Sequence, residues 1–495
     1  MSKLNLVQNV KTNLYIRYSY YFIQFFSGFF LIPFYLNNFS IKLFGVWLVI
    51  SSISGFLLLM DPSSSNLIVQ QISEKIKKNG YKSLNKIIFP SIFNSIIISI
   101  LILILGKYFL HPIFVNMIEP GFYNAEIDLI FKFAVINISL MLMVSTFTGF
   151  YEGLQKSRDF GPILVFGLIF KIALVIFFIG KNYGIKSIVI SDIITNLIVL
   201  AYLILLFIIK YKNYLFNNKL ILSDYLIFSK KYIHNYGGRF SKIFIYGGLD
   251  NLIVSKFIGL DMVTIFNLAQ KLPKHIESLV GLFFTSSRSS MTYLLTGKKS
   301  IYNDKLIINL IEIIIFINFF FLFILFDVLN PFLKIWISED IHLNEQLIFY
   351  IIFIMSLRIY ISSIQSIIFN KGNIKYVNNI QIFHSIILIP TIILCSSIYK
   401  LEGLLFSYLI INLIIIAPAC TIKIFTIIKN DKKNLFSKYI GFCKTILILG
   451  LSSIAYKYLF ELISFKIDTW FNLILLCIIK IFIFSVLILL IKQEF

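Results

Sequence analysis

Charge is scarce in this chain. Asp, Glu, Lys and Arg make up 14% of 495 residues, against 58% hydrophobic residues and a mean hydropathy of +0.89. That balance excludes a soluble globular protein and leaves an integral membrane protein, because nearly every long segment is apolar. Cysteine is scarce too. Cys395, Cys420, Cys443 and Cys477 fall in or beside apolar segments without CxxC or Cys/His spacing, which argues against a zinc site and against disulfides. Long polar connections are absent, since no segment between apolar runs exceeds about 25 residues. This excludes the substantial external loop on which membrane glycosyltransferases and polysaccharide polymerases work, and the nucleotide-binding domain of an ATP-driven exporter. The nearest approach to a phosphate-binding loop, Gly297-Lys298-Lys299-Ser300, lacks the upstream glycine and reads as a basic hairpin. No small-x-small cleavage site follows Met1 to Asn13, so the first apolar run is expected to be a retained helix.

What is present is a series of apolar runs of membrane-crossing length. They number about fourteen, at roughly 14–36, 43–66, 87–110, 128–151, 161–180, 187–210, 236–258, 261–285, 306–328, 346–369, 379–398, 403–428, 439–460 and 469–491. The net charge of +22 would suggest nucleic acid in a soluble protein, but here the bases are spread among the connections and no nucleic-acid partner is expected. Alternate connections hold Lys75, Lys77 and Lys78, then Lys156 and Arg158, Lys210 to Lys231, Lys298 and Lys299, Lys371 and Lys375, and Lys429 to Lys438. The connections between them hold Glu119, Glu126, Asp128, Glu339, Asp340, Glu402, Glu461 and Asp468. The positive-inside rule places the basic set and both termini in the cytoplasm.

The chain also repeats weakly. An offset of about 217–221 residues sets Phe34–Trp47 against Ser255–Leu268, Gly80-Tyr81-Lys82 against Gly297-Lys298-Lys299, and Gly153 to Lys156 against Gly372 to Lys375. Spans 1–6 then match spans 7–12. An even number of spans per half keeps both halves in one orientation, so the repeat is parallel and a cavity between two six-helix bundles is expected. The division expected is an amino-terminal lobe over 1–232, a second lobe over 233–430, and two additional spans over 431–495.

Charge inside the spans marks what that cavity handles. An ionisable group at the bilayer centre costs roughly 2.5–3.5 kcal/mol even on the lenient insertion scale. The stretch Asp250 to Arg288 nevertheless carries Lys271, Lys274, His275 and Glu277 halfway along its second span. At about 100° per residue Lys271, Lys274, His275 and Ser278 share a face with Glu277 on its edge, which predicts a wet or ion-paired interior surface. The bland alternative is a set of ion pairs holding helices together. Arg17, Asp61, Lys171, Asp250 and Arg358 are further cavity candidates. Lys171 and Asp192 read equally as an interhelical pair, and Arg17 as a residue snorkelling to the interface.

Two stretches carry a resemblance. FLIPFYLNNFSIKLFGVWLVI, followed by LLLMDPSSSNLIVQQISEKIKK, resembles the amino-terminal signature of polysaccharide exporters of the Wzx flippase type. The match rests on Pro33, Gly45-Val46-Trp47, Asp61 and Ser65, with Pro62-Ser63-Ser64 replacing the usual Leu-Gly-Leu. Asp250, Gly259 and Phe266 to Leu272 are similar to the family's seventh and eighth helices, and Lys271 falls where related lipid II flippases carry a cavity arginine. The resemblance covers roughly residues 10–430.

It implies the fold of the multidrug/oligosaccharidyl-lipid/polysaccharide exporter superfamily, an all-α membrane protein with two six-helix lobes. The implied activity is non-enzymatic flipping of undecaprenyl-pyrophosphate-linked oligosaccharide repeat units across the bacterial inner membrane, for O-antigen or capsular polysaccharide. The implied partners are that lipid-linked oligosaccharide, membrane lipids, a polysaccharide polymerase and a chain-length regulator. Coupling to a proton, sodium or other ion gradient would replace any bound cofactor. A basic cavity suits a pyrophosphate on independent grounds, since Lys271, Lys274 and Arg358 would attract it at low local dielectric. A flippase for lipid II or teichoic acid precursors and a cation-coupled drug antiporter are the alternatives.

Overall fold

The computed structural model describes residues 3–59, 68–69, 71–72, 84–119, 121–154, 156–211, 241, 245, 248–286, 291, 295, 300–337, 343–428, 436–437 and 467–493. Asp61 and the expected span 439–460 lie outside them. The described residues are almost wholly helical, as a chain without water along its backbone must be, because a helix satisfies every amide within its own segment. Eight of these helices are long and apolar enough to cross a membrane, and Ile41–Leu57 and Trp470–Ser485 are shorter apolar helices. The fold class expected from composition is met, while the count of about fourteen spans is not confirmed.

The chain divides into two compact units, Met1–Thr264 and Ile265–Phe495. The first contains α1 (Lys3–Asn38), α2 (Ile41–Leu59), α3 (Asn85–Leu105), α4 (His111–Met117), α5 (Ala125–Gly153), α6 (Ser157–Gly180), α7 (Lys186–Tyr211) and α8 (Leu249–Phe257). In this unit α5 packs on α2, α3 and α7, and α6 on α1 and α7. Glycine allows the closest approaches: a Cβ at Gly161 would meet Ile16 Cγ2 at 2.7 Å. One apolar core gathers Ile72, Leu84, Phe150, Tyr151 and Leu203, and the buried Tyr151 hydroxyl donates to the Leu203 carbonyl at 2.7 Å. Ser99 and Ser139 exchange hydroxyl-to-carbonyl bonds of 3.1 and 3.2 Å between α3 and α5. These two hydroxyls are thus satisfied by the backbone of the facing helix.

Between α3 and α4 the helix widens to a π-helical turn, Gly106–Leu110, where Gly106 presses on Val135. Directly after it, His111 Nε2 lies 2.5 Å from Asp128 Oδ1 at the start of α5. Lys132 and Tyr123 also reach Asp128, at 2.6 and 3.0 Å. Partial desolvation, and then the Asp128 carboxylate, push the Tyr123 phenol up from its ordinary pKa, so it donates throughout the physiological range.

Helix α9 (Leu260–Ser286) begins in the first unit and continues into the second. The second unit also holds α10 (Ser300–Ile337), α11 (Glu345–Asn370), α12 (Ile374–Ile410), a π-helical turn Ile411–Ile416, α13 (Ala417–Ile427) and α14 (Trp470–Gln493). The long run from Ile374 to Ile427 is one apolar stretch by composition but two spans by geometry. Lys400 takes a left-handed φ of 52° and folds the chain back, so that Ser407 donates to Thr391 O at 3.3 Å and Tyr376 to Ala419 O at 2.8 Å. The expected separation of spans 379–398 and 403–428 is therefore present. α10 packs on α11 and on α14, and α11 on α12 and α13.

Candidate functional site

The charged stretch lies on α9, whose helical turns set Lys271, Lys274, His275 and Ser278 along one side. Gln270, Pro273 and Ile276 are buried, whereas Lys271, Lys274, His275 and Glu277 are half-buried and Ser278 is exposed. Ser278 donates back to the Lys274 carbonyl at 2.8 Å, the usual way a hydroxyl is satisfied on an apolar helix. Within this face the Lys271 charge acts on His275, and the Lys274 charge acts on Glu277.

Arg358 on α11 joins this group. Only 7% exposed, its guanidinium sits 4.6 Å from the ring centroid of Tyr408, and its charge acts on both Glu277 and His384. A guanidinium over an aromatic ring is held by the ring's quadrupole as well as by its charge partners. Around Glu277 this group sets three cations, Lys271, Lys274 and Arg358, beside one carboxylate. Such a set can hold a phosphate-type anion by charge-assisted hydrogen bonds. Tyr408 and His384, both on α12, complete the surroundings of Arg358. His384 is 2% exposed, and a histidine in mid-span was the available signal. Tyr408 gave none, being one of 27 tyrosines.

The remaining candidates are distributed differently. Lys171 on α6 forms an ion pair with Asp192 on α7, as one of its two readings required. The pair's charges act on Tyr20, and the Asp192 charge acts on Tyr35, both on α1. Nearby, Asn196 donates to Asn137 at 2.8 Å. Asp250 opens α8 and is 5% exposed. Arg17 lies in α1 with its side chain outside the described residues, as Asp61 lies outside them altogether. Lys171 and Asp250 belong to the first unit, and Lys271, Lys274, His275, Glu277 and Arg358 to the second.

The first unit also contains an apolar cavity of about 480 Å³ between α1 and α6, lined by Phe22, Phe26, Phe30, Phe34, Ile172 and Ile176. Its walls offer a hydrocarbon chain van der Waals contact and no hydrogen bonds, the single polar lining group, Ser27, already donating to Gln24 O at 2.8 Å. Among the described residues no cluster of His, Cys, Asp and Glu is placed to hold a metal ion.

No family model matches the chain, and no curated protein matches it. Solved structures do. A multidrug resistance MATE family transporter of the MOP superfamily, in an inward-facing conformation, aligns with a TM-score of 0.66 at 11% identity, over 85% of this chain and 95% of that one. The lipid II flippase MurJ in an inward closed conformation aligns with a TM-score of 0.63 at 16% identity, over 97% of this chain and 98% of that one. A MOP superfamily transporter from Pyrococcus furiosus, described as having a binding pocket of reverse polarity, gives 0.56 at 12% identity over 88% and 96%. At such identities the likeness is one of fold, and its near-complete coverage leaves no large part of the chain outside it: this protein has the fold of the membrane transporters and flippases of the MOP superfamily.

Proposed function

We propose that the protein translocates an undecaprenyl-pyrophosphate-linked oligosaccharide from the cytoplasmic to the outer leaflet of the bacterial inner membrane, supplying O-antigen or capsular polysaccharide assembly. The observation that supports this reading is the group around Glu277, where Lys271 and Lys274 on α9 and Arg358 on α11 bring three cations to one carboxylate. A drug cation would be repelled by that set, whereas a pyrophosphate is drawn to it and can exchange its hydration shell for N–H donors. The Arg358 guanidinium, 4.6 Å from the Tyr408 ring centroid, adds a delocalised cation of the kind that suits phosphate oxygens. The apolar cavity along α1 suits the hydrocarbon part of an amphiphilic substrate. No bond is made or broken in such a step; the work is to carry a charged head across the low-dielectric layer.

A second reading within the same chemistry is flipping of lipid II. It is favoured by the alignment with MurJ across nearly the full length of both chains. The head group, not the pyrophosphate, separates the two.

Removing a flippase leaves synthesis intact and strands the product. Cells lacking this protein are expected to accumulate undecaprenyl-linked repeat units on the cytoplasmic leaflet, to lose surface polysaccharide, and to keep their sensitivity to cationic dyes. Mass analysis of the lipid-linked pool decides the matter. Polymer lost without any accumulated intermediate would point to an assembly enzyme, accumulated lipid II to the second reading, and intact polymer with new dye sensitivity to a drug antiporter.

A further inference from the structure

In the second unit, the end at which α11 passes into α12 and α13 stops gathers lysines. Helix α11 ends at Asn370, the turn Lys371-Gly372-Asn373 follows, and α12 begins at Ile374 with Lys375 exposed in its first turn. That turn holds no acidic residue, and the Asn373 side chain makes no capping bond to it. A lysine there adds its charge to the positive end of the helix dipole, which is unfavourable until an anion joins it.

Helix α13 brings a second cation to the same place. The Tyr376 hydroxyl donates to Ala419 O at 2.8 Å, which ties α13 to the start of α12. One turn further along α13, the Lys423 ammonium lies 4.9 Å from the Tyr376 ring centroid. Lys371 is already engaged, donating to Leu295 O at 2.8 Å. Among the described residues neither Lys375 nor Lys423 meets a carboxylate in an ion pair. Beyond α13 the sequence adds Lys429, Lys432, Lys433 and Lys438 against Asp431.

Both lysines adjoin exposed apolar side chains. Ile374, before Lys375, keeps 43% of its surface, and Ile422, before Lys423, keeps 63%. Residues this exposed at the ends of membrane-crossing helices meet lipid, and an ammonium beside them matches the level at which acyl chains give way to head groups. The positive-inside rule assigns this end to the cytoplasmic side, where anionic lipids give the leaflet a negative surface potential. Topology accounts for lysines being frequent on that side. It does not account for Lys423 lying over an aromatic ring of the very turn that carries Lys375.

We infer that Lys375 and Lys423, with Ile374 and Ile422 beside them, bind the phosphodiester head of an anionic phospholipid in the cytoplasmic leaflet. Charge-assisted hydrogen bonds from the two ammonium groups hold the phosphate, and the isoleucines meet the acyl chains. None of the residues on the charged face of α9 takes part, so the inference is independent of what the protein translocates.

Native mass spectrometry of the full-length protein in detergent tests it. Titrated with phosphatidylglycerol or phosphatidylcholine at equal concentration, the unaltered protein is expected to retain at least several-fold more of the first. Lys375→Gln with Lys423→Gln should remove that preference, and Lys375→Arg with Lys423→Arg should keep it. Lys107→Gln with Lys181→Gln, an equal loss of charge from exposed lysines of the first unit, should keep it as well. Equal retention of the two lipids by the unaltered protein overturns the site, and so does an undiminished preference in the glutamine pair at positions 375 and 423. Loss in the arginine pair would assign the effect to packing, and an equal loss in the first-unit pair to net charge; either overturns it. Displacement of the lipid by an equal concentration of inorganic phosphate would make the ligand a free anion and overturn the lipid assignment.

Discussion

A lysine at mid-membrane depth keeps its charge only where water, a counter-ion or a ligand takes over its hydration. Lys271 meets no carboxylate within its own turn; Glu277 lies in the fields of Lys274 and Arg358. If Lys271 helps to hold a pyrophosphate, Lys271→Glu is expected to abolish export while the protein stays in the membrane at normal level. Lys271→Arg should keep much of it, since a mobile anion responds to charge more than to geometry. Export by Lys271→Ala equal to that of the unaltered protein, at matched expression, would return this face to a structural role. Lys271, Lys274, His275 and Glu277 were legible in the sequence because helical periodicity alone sets one face. Arg358 was legible as a buried cation, but its seat on Tyr408 was not, because no local pattern links residues 50 positions apart.

At the scale of an element, the last helix shows how an appended span is secured. α14 lies outside the twofold repeat of the sequence, yet Lys480 on it is fully buried, donating to Phe323 O at 2.8 Å and pairing with Asp327 on α10. Its ammonium lies 4.5 Å from the Phe323 ring centroid, and Phe484 packs on Phe316 and Phe320 at 5.4 and 5.3 Å. Removing one partner of a buried pair costs about 3–5 kcal/mol, whereas an apolar pair of similar volume is often neutral. The lower end applies here, because the Asp327 side chain is 22% exposed. Lys480→Leu is therefore expected to lower the melting temperature in detergent, and Lys480→Leu with Asp327→Leu to recover most of the loss. Equal melting of the single and double variants would show that helix packing, not the pair, carries the docking. The sequence placed a span here without naming the pair, since a lone lysine in an apolar run is equally a cavity or a docking residue until its neighbour is known.

For the whole molecule, topology is the property on which the other readings depend. Reporter fusions are expected to be cytoplasmic at Lys82, Lys230 and Lys432 and external at Asn124, Glu339 and Asp468. Of these, Lys82, Lys230, Lys432 and Glu339 lie outside the described residues. An external signal at Lys230 would destroy the parallel relation of the two halves. The arrangement expected is one in which both halves begin on the cytoplasmic side.

Composition and hydropathy by themselves determined that the chain is a helical membrane protein, because in lipid the backbone has few alternatives and each span announces itself in about 20 consecutive apolar residues. They also determined which helix bears the charged face, a local property of 3.6-residue periodicity. Only the tertiary structure decided what each charge meets: Lys171 with Asp192, Lys480 with Asp327, Arg358 over Tyr408, and Lys42 with Glu119 and Asp261. It also decided that the run from Ile374 to Ile427 turns at Lys400. The physical reason is common to all of these. Hydropathy sets only how willingly a residue leaves water, and that is fixed by its own side chain. The partner that makes leaving water tolerable comes from another helix, and is chosen by packing across tens to hundreds of residues.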